Sequence, residues 1–218
     1  MFLEVSQLKK SYGNTHVLRN LSFSLEKSED LAIVGSSGSG KSSLLYILGA
    51  LEKADSGKVL VDGVNLGLMS DDKLAQFRNE FIGFVFQFHF LLPSMNCLEN
   101  ILLPAKIGRH SVKKVKSRTQ DFAEKLGVEH CLKKYPYQIS GGEQQRINII
   151  RAISLNPKML LCDEPTGNLD KKNTTNVLNL LRGLSEDIQS SLIVVTHDIE
   201  VSNSFHRKIT IEDGQIIS

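Results

Sequence analysis

Residues 35–42 read Gly35-Ser36-Ser37-Gly38-Ser39-Gly40-Lys41-Ser42, directly after the apolar run Leu31-Ala32-Ile33-Val34 and before Leu44-Leu45-Tyr46-Ile47-Leu48. The pattern G-x-x-x-x-G-K-[ST] between a buried strand and a helix predicts a loop wrapped around phosphates. Glycines let backbone N–H groups approach a highly charged ligand, and the helix start adds its own unpaired donors. Lys41 can reach the terminal phosphates as a point charge, and the Ser42 hydroxyl is placed to hold Mg2+. A flexible Gly/Ser linker is the bland alternative, but a linker needs neither the lysine nor the flanking strand. The loop alone implies a nucleoside triphosphate; it does not separate a kinase, a GTPase and a motor.

The 218 residues, 41% hydrophobic and 23% charged, suit one globular domain with a sizeable core. A net charge of +2 provides no strong field, so no nucleic-acid partner is expected. No run approaches the ~20 apolar residues that span a bilayer, so direct membrane insertion is not expected. Met1-Phe2-Leu3-Glu4-Val5 lacks the basic start and long apolar core of a secretory leader. Cys97, Cys131 and Cys162 are odd in number and have no metal-like spacing, which reads as free thiols in a reducing cytosol.

Along the chain, Leu21, Phe23 and Leu25 alternate with serines as a half-buried strand does. Lys58-Val59-Leu60-Val61 before Asp62-Gly63 predicts antiparallel pairing, and Lys208 to Ile217 around Asp213-Gly214 predicts a hairpin. Residues 81–86, Met159 to Cys162 and Leu192 to Val195 read as buried strands. Residues 88–110, broken by Pro93, Pro104 and Gly108, are expected to be short helical pieces and loops. Val112, Val115, Thr119, Phe122 and Leu126 share one helical face, and Lys113, Lys114, Lys116 and Arg118 form the opposite, solvated one. Short apolar strands interleaved with helices imply a parallel sheet covered on both faces. No internal repeat or low-complexity tract is visible.

Three apolar strands end in polar residues: Gln87, Asp163-Glu164 and His197. A parallel sheet gathers its strand C-termini at one edge, where ligands bind, so these side chains are expected to converge on loop 35–42. Two adjacent carboxylates repel a triphosphate unless a cation or proton intervenes. Asp163 is therefore expected on Mg2+, directly or through water, and Glu164 on the attacking water as its base. His197 either hydrogen-bonds the γ-phosphate or holds Glu164 and the water in line. The Gln87 amide can touch Mg2+ or water. Ser140-Gly141-Gly142 is a second Ser/Gly turn opening a helix. It is either an ordinary cap with Glu143 in the first turn, or it completes the nucleotide site of another copy across a two-fold axis.

In this order the residues resemble an ATP-binding cassette (ABC) ATPase, and the resemblance covers essentially the whole chain. It rests on the Walker A loop 35–42, the Q-loop Gln87, the signature Ile139-Ser140-Gly141-Gly142-Glu143-Gln144-Gln145-Arg146, the Walker B end Asp163-Glu164, the D-loop Gly167-Asn168-Leu169-Asp170 and the switch His197. The implied fold is α/β, of the P-loop NTPase (RecA-like) kind: a parallel-sheet core with an antiparallel β subdomain and an inserted α-helical subdomain. Residues 1–87 and 154–218 would form the core and 88–153 the helical part of a single domain.

The implied ligands are ATP and Mg2+. Gly35, Ser36, Ser37, Gly38, Ser39, Gly40, Lys41, Ser42 and Ser43 would surround the phosphates, and Tyr12 would stack on adenine. Ser42, Gln87 and Asp163 would hold the metal; Glu164, the general base, and His197 would be catalytic. Ser140, Gly141 and Gly142 would meet the partner copy's γ-phosphate, and Asp170 would touch across the dimer. The signature has Ile139 and Glu143 where leucine and glutamine are commoner, Asn148 and Ile150 stand where small residues are usual, and Gly167 replaces a serine. None of these removes a catalytic group.

The runs 84–93, 98–100 and 164–170 resemble the LolD/MacB/FtsE subgroup, whose members serve lipoprotein release, export of macrolides or antimicrobial peptides, and cell division. Gln-Phe-His-x-Leu-Leu-Pro points to the lipoprotein-releasing branch. The resemblance implies a homodimer of ATPase subunits on two integral membrane subunits, peripheral on the cytoplasmic side of the inner membrane. ABC ATPases of DNA repair insert a long coiled coil after the phosphate loop, and residues 43–139 hold no sustained heptads. Translation-type ABC proteins carry two cassettes, and this chain has one.

Overall fold

The computed structural model describes residues 1–167 and 171–217. The chain runs β1 (Leu3–Tyr12), β2 (Thr15–Leu25), β3 (Asp30–Val34), α1 (Lys41–Leu48), β4 (Ser56–Val61), β5 (Val64–Asn65), α2 (Asp71–Phe81) and β6 (Ile82–Phe86). It continues through α3 (Cys97–Ile107), α4 (Val112–Lys125), α5 (Gly141–Ile153), β7 (Met159–Asp163), α6 (Lys171–Asp187), β8 (Ser191–Thr196), α7 (Ile199–Asn203), β9 (Lys208–Glu212) and β10 (Gln215–Ile216).

Two sheets form. One is antiparallel, in the order β2-β1-β4-β5. Its Asp62-Gly63 turn takes φ of 51° and 77°, the left-handed pair that a two-residue hairpin requires. The other, in the order β10-β9-β3-β8-β7-β6, is parallel except for the β9–β10 hairpin. This is a P-loop-type α/β fold.

Successive side chains of the parallel strands enter opposite cores, because a strand alternates its faces. Leu31, Ile33, Leu161, Ile193 and Val195 join α1 and the antiparallel sheet in one buried cluster. Ala32, Leu160, Cys162, Leu192 and Val194 join residues of α3, α5 and α6 in the other. Burial on both faces explains why these strands read as continuous apolar runs. In register, Val34 lies opposite Thr196, and Asp163 opposite both Phe86 and Val195. The next residues, Gly35, Gln87, Glu164 and His197, therefore leave the sheet along one edge.

Several sequence expectations are corrected. Residues 88–110 are not short pieces: α3 is 11 residues long and continues through Pro104. Burial of Ile101, Leu102 and Ala105 outweighs the lost proline N–H, and a capping box between Asn96 and Glu99 starts the helix. Phe81 ends α2 rather than opening β6, and α2 itself was unread because its mostly polar residues leave only Leu74 and Phe77 buried. Val112 is exposed; the inward face of α4 is Val115, Thr119 and Ala123.

Candidate functional site

Loop 35–40 joins β3 to α1 in a shape that only glycine permits at two places. Gly40 has φ of 103°, and a Cβ there would lie 2.7 Å from the Val17 carbonyl oxygen; at Gly35 one would lie 2.2 Å from that of Ile211. Gly40 offers α1 no side-chain cap and no acid stands in the first turn, so first-turn N–H groups face no competing anion. The Lys41 ammonium donates to the carbonyls of Gly35 and Ser36, both at 2.8 Å. Burial pulls its pKa below the ordinary value, while the Glu164 and Asp163 carboxylates oppose that pull.

Across the loop, Asp163 accepts from the Ser42 hydroxyl and from the Tyr46 hydroxyl, each at 3.1 Å. Burial raises the Asp163 carboxyl against these two hydrogen bonds. Glu164 holds φ of 47°, strained for a non-glycine residue, with its N–H on the Val195 carbonyl. Its Oε1 lies 2.8 Å from Nδ1 of His197, whose ring is mostly exposed. A carboxylate can only accept, so the imidazole proton of this pair sits on Nδ1. A cleft of about 740 Å³ is lined by Val17, Ser36, Ser37, Gly38, Gly40, Lys41, Ser42, Ser43, Gln87, Glu164 and His197. Gln87 lies over Gly167: a Cβ at Gly167 would come within 2.8 Å of its Nε2, so glycine gives the amide room.

The remaining expected residues lie around this cleft rather than in it. Ser39 is buried behind the loop. Tyr12, at the end of β1, is half exposed, and its hydroxyl bonds Glu52 and, at 3.4 Å, Ser43. Ser140 caps α5 in a reciprocal box: Glu143 N–H donates to its hydroxyl, and its own N–H and O–H donate to Glu143 Oε2 at 2.8 and 2.6 Å. These bonds from Ser140 hold the Glu143 carboxyl down to about 2. Gly141 has open space where a Cβ would stand, and a Cβ at Gly142 would meet only the Arg146 guanidinium, at 3.8 Å. The signature turn does not line the cleft of its own chain. Asp170 lies outside the described residues.

Two site residues went unread. Tyr46 stands four after Ser42, the helical spacing that puts both hydroxyls on Asp163, so the signal was present. Arg151 left none: its guanidinium donates to the carbonyls of His89 and Phe90 and to Asn148, pinning the segment after Gln87 from the far helix. Asn148, where the resemblance leads one to expect a smaller residue, accepts from Arg151 in this clamp.

Ser42, Asp163 and the Gln87 carbonyl offer hard oxygens of the kind Mg2+ takes. The glycine cradle, Lys41 and the free helix start fit a triphosphate. Residues 18–167 match the ABC transporter family. The chain belongs to that family, as an ATP-binding subunit with ATPase activity. Within it the chain falls in the LolD subgroup. It is 40% identical over 215 residues to the lipoprotein-releasing system ATP-binding protein LolD of Cytophaga hutchinsonii, covering 99% of this chain and 98% of that protein. It is 41% identical over 218 residues to LolD of Colwellia psychrerythraea, covering 98% and 84%. A dimeric structure of the bacterial ABC transporter cassette MJ0796 superposes with a TM-score of 0.90 at 35% identity, covering 99% of this chain and 97% of that one. A second, dimeric and post-hydrolysis, structure of MJ0796 bound to ADP and Pi gives 0.88 at 35% identity over the same shares.

Proposed function

We propose that two copies of this chain close head to tail on two ATP molecules and drive two integral membrane subunits that release lipoproteins from the inner membrane. The observation that carries the dimer is an incomplete cleft. Lys41, Ser42, Glu164 and His197 line it, while the turn of Ser140, Gly141 and Gly142 does not, and at Gly141 that turn has open space before it. A second copy supplies what the first lacks. MJ0796 crystallised as a dimer, which supports this reading.

In the closed pair, Lys41 and the first-turn N–H groups of α1 bind the phosphates, and the partner copy's Ser140 donates to the γ-phosphate. Glu164 accepts a proton from water as that water forms its bond to phosphorus and the bond to ADP breaks. His197 holds the Glu164 carboxylate in place from 2.8 Å. Ser42, Asp163 and Gln87 would hold Mg2+, which would supply positive charge against the phosphate oxygens. ATP shifts the pair toward closure only by its higher affinity for the closed state, and hydrolysis removes that difference. Residues 88–153 are proposed as the helical unit that swings against a core of 1–87 and 154–218.

Coupling to the membrane subunits is assigned to the segment after Gln87. Phe88 and Phe90 are 65% and 63% exposed there, beside an apolar groove of about 420 Å³ that Phe86, Leu103, Pro104 and Ile107 help to line. No helix among the described residues is long and apolar enough to cross a membrane. The proposed peripheral position on the cytoplasmic side rests on the LolD relatives. Lipoprotein release rests on the two LolD relatives. The test is Glu164→Gln. It should bind ATP, stall hydrolysis and elute as a dimer with ATP; a variant that stays monomeric and hydrolyses normally overturns the mechanism.

A further inference from the structure

Away from the cleft, at the base of the signature turn, three side chains bring a nitrogen, a sulfur and a carboxylate together. Nε2 of His130 lies 2.8 Å from Oε1 of Glu143, and Sγ of Cys131 lies 3.3 Å from that oxygen and 3.4 Å from that nitrogen. Zinc takes such atoms at about 2.0–2.3 Å, which sets tetrahedral corners about 3.3–3.7 Å apart. Two of the three separations already match, and the third needs to open by only a few tenths of an ångström. His130 and Cys131 are adjacent on the 3-10 turn Glu129–Cys131, while Glu143 belongs to the first turn of α5. Cys131 is fully buried and the His130 ring is mostly exposed, so the cluster has a protein wall behind it and solvent in front. None of the three lines the nucleotide cleft.

We propose that His130, Cys131 and Glu143 form a binding site for a zinc-class divalent cation, with water in the fourth position. One thiolate and one imidazole beside a single carboxylate select zinc over Mg2+ or Ca2+, which want an all-oxygen shell. On binding, the Cys131 thiol proton and the Nε2 proton that His130 gives to Glu143 both leave those atoms, the imidazole ends with its one proton on Nδ1 and any surplus proton passes to solvent, and the hydrogen bonds of His130 and Cys131 to Glu143 give way to three bonds to the ion; nothing is oxidised or reduced. The sequence hid the site because cysteine spacing alone does not find a ligand set completed by a neighbouring histidine and a distant glutamate. Its consequence lies in the other carboxylate oxygen. Glu143 Oε2 accepts from both the N–H and the O–H of Ser140, so the ion fixes the carboxylate that shapes the signature turn. Given the ATPase mechanism proposed above, a filled site restrains that turn and slows hydrolysis.

The test uses Co2+ as a spectroscopic stand-in, added to the full-length, nucleotide-free protein. One equivalent should bind with a thiolate-to-cobalt charge-transfer band and the visible bands of a tetrahedral ion, and Zn2+ should displace it. Cys131→Ser should abolish the charge-transfer band, and His130→Gln, at an exposed position that leaves folding intact, should weaken binding at least tenfold. Cys97→Ala should keep the band. Absence of the band, or its survival in Cys131→Ser, overturns the site and leaves a simple hydrogen-bonded knot. Separately, Zn2+ should lower ATP hydrolysis several-fold in the unaltered protein and not in His130→Gln. A filled site with unchanged hydrolysis overturns the link to the signature turn while the cobalt result stands. The cobalt titration needs no ATP, so its failure is distinct from failure of the dimer mechanism.

Discussion

At the residue scale, Lys41 and Gly49 separate function from packing. Lys41 is buried in the loop with its ammonium held by two loop carbonyls, and a charge-assisted bond from that ammonium to a phosphate is worth about 1.5–3 kcal/mol. Lys41→Met should weaken ATP binding roughly 10- to 150-fold in a fluorescent-nucleotide titration. Gly49 touches no nucleotide-site residue. A Cβ there would fall 1.9 Å from the Phe84 ring, which stacks on Phe86. Gly49→Ala should cost about 1–3 kcal/mol by overpacking and lower Tm by about 2–4 °C per kcal/mol, with nucleotide affinity unchanged. Lys41 was legible because its role follows from a local pattern. Gly49 was not, because the atom it makes room for lies on another strand.

At the element scale, Ser140 carries two roles that one substitution can divide. As the cap of α5 it stabilises the helix by about 0.5–2 kcal/mol, the amount Ser140→Ala should lose in a urea melt. If it also meets the partner's γ-phosphate, hydrolysis should fall far beyond what that loss of folded protein explains; parallel loss of both reduces it to a cap. The two sheets are tied by an ion pair: Lys158, just before β7, donates to Asp62 of the β4–β5 turn at 2.7 Å and sits over the Phe81 ring. The Lys158 bond holds the Asp62 carboxyl below its ordinary value. A depressed acid stabilises the fold above its unfolded pKa, near 4, and that stabilisation fades as pH falls through the lower folded value. Both side chains are half exposed, so Lys158→Met should cost under about 1 kcal/mol at pH 7, and the difference between the two proteins in thermal melts should shrink below pH 4. Buried strands were legible as apolar runs. Helix α3 was obscured by Pro104, because the packing that overrides a proline lies elsewhere in the chain.

At the scale of the whole molecule, the proposed coupling to membrane subunits is tested at the exposed apolar surface. Phe88 and Ile107 are 65% and 68% exposed; Ile107 helps to line the groove in front of Phe86, and Phe88 follows Phe86 by two residues. Both side chains are largely exposed, so Ile107→Asp should change stability by less than about 0.5 kcal/mol, and Phe88→Asp, which also loses an edge contact with Phe90, by no more than about 1 kcal/mol. Both should sharply reduce recovery of membrane subunits in a pull-down from detergent extracts, with ATP hydrolysis by the isolated chain retained. Full recovery would place the membrane contact elsewhere.

By itself the sequence determined the fold type, the phosphate loop and the strand ends that carry Gln87, Asp163, Glu164 and His197. Each depends on a period or spacing within a few residues, and a parallel sheet must deliver its strand ends to one edge. Only the tertiary structure decided that Tyr46 shares Asp163 with Ser42, that Arg151 clamps His89 and Phe90, and that His130, Cys131 and Glu143 meet beneath Ser140. Those contacts join separate elements, where packing sets the distances; the four-residue spacing of Ser42 and Tyr46 gives them a shared helix face but not the carboxylate they meet.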